Sequence, residues 1–524
     1  MTAKSRYDYL SSERTQFLDE AEQSAELTLP YLITKDQYQK GMRHLPTPWQ
    51  SVGAKCSVTL AAKLMQSMLP VQTSFFKLQV DDTQLGEEFP PEVKSELDLS
   101  FAKIERTILE AIAASNDRVV VHEALLHLVI AGNALVYMGK DGLKVYPLNR
   151  YVVERDGNGN VIEIVTKETI AKKLIEDQLP EDVLKQYDSV VDSDPDNSDE
   201  CDIYTHITRD NNRYVWHQEV HNKKLPKSYG KSPVDVSPWI PLRFNSVDGE
   251  DYGRGRVGQF IGDLKSLEAL SQALVEGSAA AAKVVFTVSP SSTTKPSTLA
   301  NAGNGAIVQG RPDDIGVVQV GKSADFGTAF QMMQQLERRL NEAFLVMQVR
   351  QSERTTAEEV RLTQMELEQQ LGGLFSLLTT EFLLPYLSRI LNQFQKSGKI
   401  PRLPKNIVKP TIVAGVNALG RGQDRESLGQ FLTVISQTMG PEAVQKFINP
   451  EEVIKRLAAS QGIDVLNLVK SMQEIQGQEQ QAQQMAMQQQ QQDQQIAMMK
   501  TPMMDPSKNP ALAGDQQQQP PEQE

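Results

Sequence analysis

A mainly helical α+β fold follows from three features of the sequence. Apolar residues recur at spacings of three and four over most of residues 1–135 and again from 256 to 395, which is the stripe an α-helix buries. Between 134 and 220 the period changes to two, in paired runs joined by Gly-, Asn- and Asp-rich turns, the signature of β-hairpins. From 284 to 320 the long helical pattern breaks into short β-like pieces before resuming.

The elements follow in order. Residues 14–28, 49–67, 92–115 and 122–130 read as helices, with Pro70 ending the second and a strand at 75–80. Runs 134–138 and 143–146 flank Gly139-Lys140-Asp141-Gly142, and runs 151–155 and 161–166 flank Asp156-Gly157-Asn158-Gly159-Asn160, the turn chemistry of tight hairpins. A third pair, 201–209 and 213–220, meets across Asp210-Asn211-Asn212. Together these predict one mixed antiparallel sheet packed by the preceding helices. Residues 188–200 are acidic and Ser-rich, as in a mobile loop.

A long helix is expected from Arg256, with Phe260, Leu264, Leu267, Leu270 and Leu274 on one stripe. A run of alanines at 279–282 lets a second backbone approach closely. Short β pieces at 284–288, 306–309 and 317–320 enclose a Ser/Thr/Pro loop at 289–297. A second long helix covers 326–344, a break covers 347–355, and a third helix covers 356–395. Thr356 and Glu359 have capping-box spacing, which marks the start of that third helix. Residues 401–411 are Pro-rich and extended, and helices resume at 424–437, 441–447 and 450–460. From 476 the chain is Gln- and Met-rich. Its early part, 474–499, favours helix, while its end lacks the apolar surface to offset ordering entropy and is expected to be disordered.

Composition narrows the function classes. At 524 residues the chain is long enough for three or four folding units. No apolar run reaches the ~20 residues of a membrane span, and residues 1–35 lack a secretory pattern. Cys56 and Cys201 are the only cysteines, without CxxC or Cys/His clustering, so neither zinc nor any other cofactor is expected. The net charge of −13 argues against an ordinary DNA-binding domain with a basic face. It is compatible with a surface past which DNA slides, because each tight phosphate contact would have to break during movement.

Residues 253–258, Gly253-Arg254-Gly255-Arg256-Val257-Gly258, match a dinucleotide fingerprint and open a helix. No βαβ alternation surrounds them, and the nearest strand-like run, 240–244, is separated by a polar loop. The glycines are read instead as a bend. A dinucleotide-binding enzyme on this motif is one alternative, and a helical cytoplasmic scaffold is another. The histidines at 44, 122, 127, 206, 217 and 221 are scattered and read as structural or surface groups. Trp49 reads as a core anchor, with an intersubunit contact as the sharper alternative. Arg338 and Arg339 are placed to pair with Glu337 and Glu342 along their own helix.

Several stretches are similar to one family. They are Thr47-Pro48-Trp49-Gln50-Ser51-Val52-Gly53-Ala54-Lys55, Tyr151-Val152-Val153-Glu154-Arg155-Asp156, and Tyr252-Gly253-Arg254-Gly255 with Asp263-Leu264-Lys265-Ser266-Leu267-Glu268. Gly310-Arg311-Pro312-Asp313-Asp314-Ile315, Glu353-Arg354-Thr355-Thr356-Ala357-Glu358-Glu359 and Gly420-Arg421-Gly422-Gln423-Asp424 follow in the same order. Across about residues 45–425 these resemble the head-to-tail connector, or portal, proteins of short-tailed phages.

The resemblance implies a phage portal fold assembling as a cyclic ring, usually of twelve copies, at one capsid vertex. It implies a wing (1–254), stem helix one (255–283), a clip (284–325), stem helix two (326–346) and a tunnel loop (347–355). A long wing helix (356–400), a crown (401–475) and the Gln-rich tail (476–524) complete it. The leucine stripe would pack the stem, since each copy in a ring uses two different surfaces. Gln348, Arg350, Gln351 and Arg354 in the tunnel loop, with Lys283 and Lys322 at the clip–stem junctions, are DNA-channel candidates. Arg311, Asp313 and Asp314 are clip-docking candidates. The implied partners are other copies of the chain, double-stranded DNA held non-specifically, the terminase large subunit and a tail adaptor. Scaffolding, major capsid and internal core proteins are implied as well, with no membrane. The implied location is the virion head–tail junction, after assembly in the host cytoplasm. No catalysis is expected. No Walker A motif is present, which assigns the packaging ATPase to another protein.

Overall fold

The structure, a computed structural model, describes residues 2–34, 45–70, 74–80, 91–139, 142–171, 200–226, 228–281, 285–292, 295–303, 306–318, 323–346, 372–402, 408–412, 429, 431–438, 440 and 453. The chain divides into two units, 1–419 and 420–524, rather than the three or four that length suggests. In the first unit, N-terminal helices, sheets and the later long helices share a large apolar core, and a smaller cluster of Ala3, Tyr7, Leu10, Val152, Val165 and Tyr204 seats the start of the chain on a sheet. In the second unit, 431–438 are helical, with Phe431 and Val434 half exposed. The capping-box pair Thr356 and Glu359, the acidic loop from 188 to 199 and the tail from 476 lie outside the described residues.

Helix α1 (Ala3–Glu26) begins eleven residues before the expected start. Thr2 caps it, its hydroxyl accepting from the Ser5 N–H at 3.3 Å. The sequence stripe is disguised because its buried face includes Arg14. That guanidinium donates to the carbonyls of Leu148 at 2.9 Å and Tyr151 at 2.7 Å, which compensates its burial. Next come α2 (Val52–Met68), β1 (Phe76–Val80), α3 (Pro91–Ala114) and α4 (Asp117–Ala131). Helix α4 is apolar nearly all round and buried, as a central helix must be.

The β region is two antiparallel sheets, not one. Strands β2 (Asn133–Met138), β3 (Leu143–Tyr146) and β10 (Trp239–Arg243) order as β10-β2-β3. A six-stranded sheet holds β4 (Tyr151–Arg155), β5 (Val161–Ala171), β6 (Glu200–Asp210), β7 (Arg213–Val220), β8 (Lys223–Lys224) and β9 (Gly230–Pro233). The three hairpins fall where the turn chemistry puts them. The division arises at the 3-10 turn Leu148–Arg150, and β10, contributed from a hundred residues downstream, takes the edge of β2.

The chain then enters α5 (Arg256–Gln259), α6 (Ile261–Ala281), β11 (Val285–Val288), α7 (Pro296–Ala300), β12 (Ile315–Val318) and α8 (Ser323–Ala343). The expected single helix from Arg256 is broken at Phe260, whose N–H bonds back to the Val257 carbonyl at 3.0 Å. Such an i→i+3 bond tightens the last turn of α5. Residues 306–309, expected as a strand, are irregular; β11 pairs instead with 315–318.

Helix α9 (Gly372–Lys396) is long and apolar enough, by length and composition, to cross a membrane. Here Leu378, Phe382, Tyr386 and Leu387 are buried in the core. It contains a π-helical turn, Thr379–Leu383, which sets Glu381 against Arg243. Strand β13 (Val408–Ile412) pairs antiparallel with β1 across more than three hundred residues.

His127 on α4 is 2% exposed, and desolvation pushes its pKa down to about 4. The folded protein therefore holds it neutral. Below the unfolded value of 6.5 only the unfolded chain gains the proton, so stability falls as pH drops from 6.5 to about 4 and then levels off. About 3 kcal/mol is at stake. Urea unfolding between pH 7.5 and 4.5 should show this slope flattened in His127→Leu; an unchanged slope would contradict the assignment.

Candidate functional site

Helices α6 and α8 form a two-helix rod. Leu264, Leu267, Leu340 and Phe344 are buried, while Phe260, Leu270 and Leu274 are partly buried. Along α6 the burial is deepest at Leu264 and Leu267 and lessens toward Ala281. Phe260 and Phe344 rings lie 5.8 Å apart. The Ser271 hydroxyl meets Met333 Sδ at 3.5 Å. Gly277 leaves room for the Phe326 ring: a Cβ there would lie 2.7 Å from it. Arg339 Nη2 donates to both carboxylate oxygens of Asp263, at 3.0 and 2.9 Å. It therefore bridges the helices instead of pairing along its own. Arg338 is exposed and takes no partner among the described residues.

The rod is fixed to the core by a backbone seam. Gly132 ends α4 with φ +77°, and a Cβ on it would lie 2.4 Å from the Gly255 nitrogen. A Cβ on Gly255 would lie 2.6 Å from the Ile130 carbonyl oxygen. Asn133 locks the approach by accepting from the Gly253 N–H at 2.7 Å and donating to its carbonyl at 2.8 Å. Arg254 pairs with Glu20 and Glu250, at 3.1 and 2.6 Å. The glycines of the fingerprint are thus a bend filled by protein, and the Gly253 and Arg254 amides are spent on Asn133 and Asn245. A phosphate cradle requires such N–H groups to be free.

The far end of α8 is clamped. Leu345 has φ +58°, uncommon for a residue with a side chain, and its carbonyl accepts from Lys63 Nζ. Val346 N–H bonds the Asn341 carbonyl at 2.7 Å, and Arg256 Nη2 bonds the Ala343 carbonyl at 2.8 Å. Two cations thus meet the negative end of the helix dipole. Gln348, Arg350, Gln351 and Arg354, which follow this clamp, lie outside the described residues, as do Lys283 and Lys322.

Between the rod helices, β11 and β12 make a two-stranded ribbon. Ser289 N–H bonds the Asp314 carbonyl at 2.9 Å. Arg311 and Asp313 are exposed and Asp314 partly so, and Ile307 earlier in the same segment is fully exposed. The structure brings these three predicted residues to one turn, Pro312–Asp314 and its approach.

Trp49, expected in the core, is 49% exposed. The core face of α2 is filled by Cys56, Leu60 and Leu64. The loop before it is held by Glu268 of α6, which accepts from the Trp49 N–H at 2.8 Å and the Gln50 N–H at 3.3 Å. Sequence reading missed Glu268, Lys63, Asn133 and Arg256. A Glu beside a leucine stripe or a Lys on an amphipathic helix carries no local mark of a distant backbone partner. His206 and His217 bond Glu163 and Glu219, and Glu219 also accepts from the Ala3 N–H at 2.6 Å. They serve to dock α1 on the sheet. Among the described residues, no group of three or more His, Cys, Asp or Glu side chains could hold a metal ion.

Fold and site define a class: an α+β subunit that carries a helical rod anchored by glycine contacts and closed by a small β-ribbon. The chain belongs to the bacteriophage head to tail connecting protein family, whose model matches residues 1–468. The portal protein of Escherichia phage T7 is 36% identical over 493 residues, covering 92% of this chain and 90% of that protein. That of Enterobacteria phage T3 is 36% identical over 477 residues, covering 89% and 88%. Among solved structures, the neck of an empty gene transfer agent particle matches with TM-score 0.37 and 11% identity, over 78% of this chain and 89% of that one. That overlap is too loose to bear on the architecture.

Proposed function

We propose that this chain is the subunit of a portal ring, a non-catalytic conduit for double-stranded DNA during packaging and ejection. The observation that carries the reading is the rod: two helices packed on each other and anchored to the core, yet with exposed faces along most of their length. A helix pair that ends its burial at one end needs neighbours along the rest, and a ring of heterologous contacts supplies them. Family membership and the portal names of the T7 and T3 relatives support it.

On this reading residues 1–254 are the wing, 255–283 and 326–346 the stem, 284–325 the clip, 347–355 the tunnel loop, 356–400 the returning wing helix and 401–475 the crown. The ring has twelve copies and sits at the head–tail junction of the virion. The turn bearing Arg311, Asp313 and Asp314 docks the terminase large subunit and later the tail adaptor. Scaffolding, major capsid and internal core proteins meet the outer surfaces. The six candidate residues Lys283, Lys322, Gln348, Arg350, Gln351 and Arg354 contact phosphates non-specifically, with salt-dependent strength. Negative-stain images of the purified chain should show end-on particles with a central hole. Compact monomers at all concentrations and salts would overturn the reading.

A further inference from the structure

We propose that α8, rather than α6, is the helix that faces DNA, and that Gln331, Gln334, Gln335 and Arg338 form the track it presents. The inference rests on the portal-ring reading and names the surface within it.

The argument is the cross-section of α8. At about 100° per residue, Met333, Leu336, Leu340 and Phe344 share one side, which is partly or fully buried against α6 and the core. Gln331, Gln334, Gln335 and Arg338 fall within an arc of about 100° on the opposite side, and all four are exposed. Between these two sides lie Phe330, 46% exposed, and Met332, 51% exposed, one on each flank. A helix in a free-standing hairpin has no reason to carry large apolar groups on both flanks. A stave in a closed wall does, because each flank meets a neighbouring copy. The side left over, opposite the buried one, then faces either the lumen or the exterior.

Chemistry decides between them, because the outward faces of α6 and α8 point in opposite directions. The α6 face presents Lys265, Ser266, Ala269, Gln272, Ala273 and Glu276, and its lysine is already engaged, Lys265 Nζ donating to Gln23 Oε1 at 3.0 Å. Its amide is already spent: Gln272 Nε2 donates to Glu276 Oε1 at 2.9 Å, and the carboxylate repels phosphate. The α8 face is free of carboxylates from Gly327 to Arg338. Its three glutamine amides and the Arg338 guanidinium take no partner among the described residues, so their donors are available. Glu342 closes the same face only where the rod enters the core. Neutral amides make weak, exchangeable contacts with phosphate oxygens, and a single guanidinium per copy adds one charged contact. Such a surface holds DNA without pinning it.

The test uses purified full-length rings and linear duplex DNA between 50 and 200 mM salt. Arg338→Ala should reduce the slope of log affinity against log salt, by about 0.9 for each phosphate that is no longer neutralised. The triple variant Gln331→Glu, Gln334→Glu, Gln335→Glu should still form rings, since Phe330 and Met332 are intact, and should bind DNA at least about tenfold more weakly. A third measurement does not depend on affinity. Cys56 and Cys201 are buried, so Gln334→Cys supplies the reactive thiol, and threaded duplex should shield it from a maleimide. Normal rings whose affinity, slope and thiol labelling are all indifferent to these changes would put the α8 face on the exterior and overturn the proposal while leaving the ring reading intact. A wild-type chain that never forms rings would instead remove the reading beneath it, and the track with it.

Discussion

Replacing Glu381 with alanine is expected to lower stability by about 3–5 kcal/mol, because it strands a buried cation. Arg243 directs Nε and Nη2 at Glu381 Oε1, at 2.9 and 2.6 Å, and its backbone N–H donates to Oε2 at 3.0 Å. The side chains are 9% and 12% exposed. Arg155, at 3.9 Å from the same oxygen, is less affected. It also donates to the carbonyls of Gly159, Pro241 and Asp251. The asymmetry gives a second test. The double variant Arg243→Met, Glu381→Leu removes both charges and should regain at least half of the loss, since a desolvated pair replaced by apolar groups is often near neutral. Urea midpoints for the two variants measure both effects. A single variant within about 0.5 kcal/mol of wild type, the usual additivity error, would show that Glu381 does not hold the π-helical turn of α9 to β10.

Gly132→Ala is expected to cost at least about 3 kcal/mol and to abolish ring assembly. Two effects add. The residue sits at φ +77°, where a side chain costs about 1 kcal/mol. The new methyl would also meet the Gly255 nitrogen at 2.4 Å, the Arg254 carbonyl carbon at 2.6 Å and the Gly253 carbonyl oxygen at 2.7 Å. These are backbone atoms, not the mobile end of a side chain. The seam must therefore open, and the rod that leaves it at Arg256 must move. Gly157→Ala is the control, because nothing lies within 4 Å of its would-be Cβ; its change should stay below about 1 kcal/mol. Soluble expression, thermal unfolding and particle images read the comparison. Equal behaviour of the two variants would mean that the close approach at Gly132 does not fix the rod.

Most helices and hairpins are legible in the sequence because their signals are local. The Asp156–Asn160 turn, the leucine stripe of α6 and the apolar run of α4 each reside within a few turns of chain. The departures share a different cause. The true start of α1 is hidden because buried Arg14 looks like a solvent residue until its carbonyl partners at 148 and 151 are known. The size of Trp49 points to the core, but a neighbouring carboxylate, Glu268, positions its backbone and leaves the ring outside. Arg339 has an acidic neighbour, Glu342, at helical spacing, and nothing local shows that Asp263 lies across the crossing.

Local pattern was enough to establish the α+β class, the order of elements and the two long amphipathic helices, since period and turn residues act over short distances. The chain also carries enough family-specific stretches to mark the connector family. Tertiary packing alone divides the β region into two sheets, turns the glycine run into a packing seam and closes β13 on β1. These features depend on groups brought together from far apart in the chain, where burial and hydrogen-bond partnership are set by the whole core and by no local pattern.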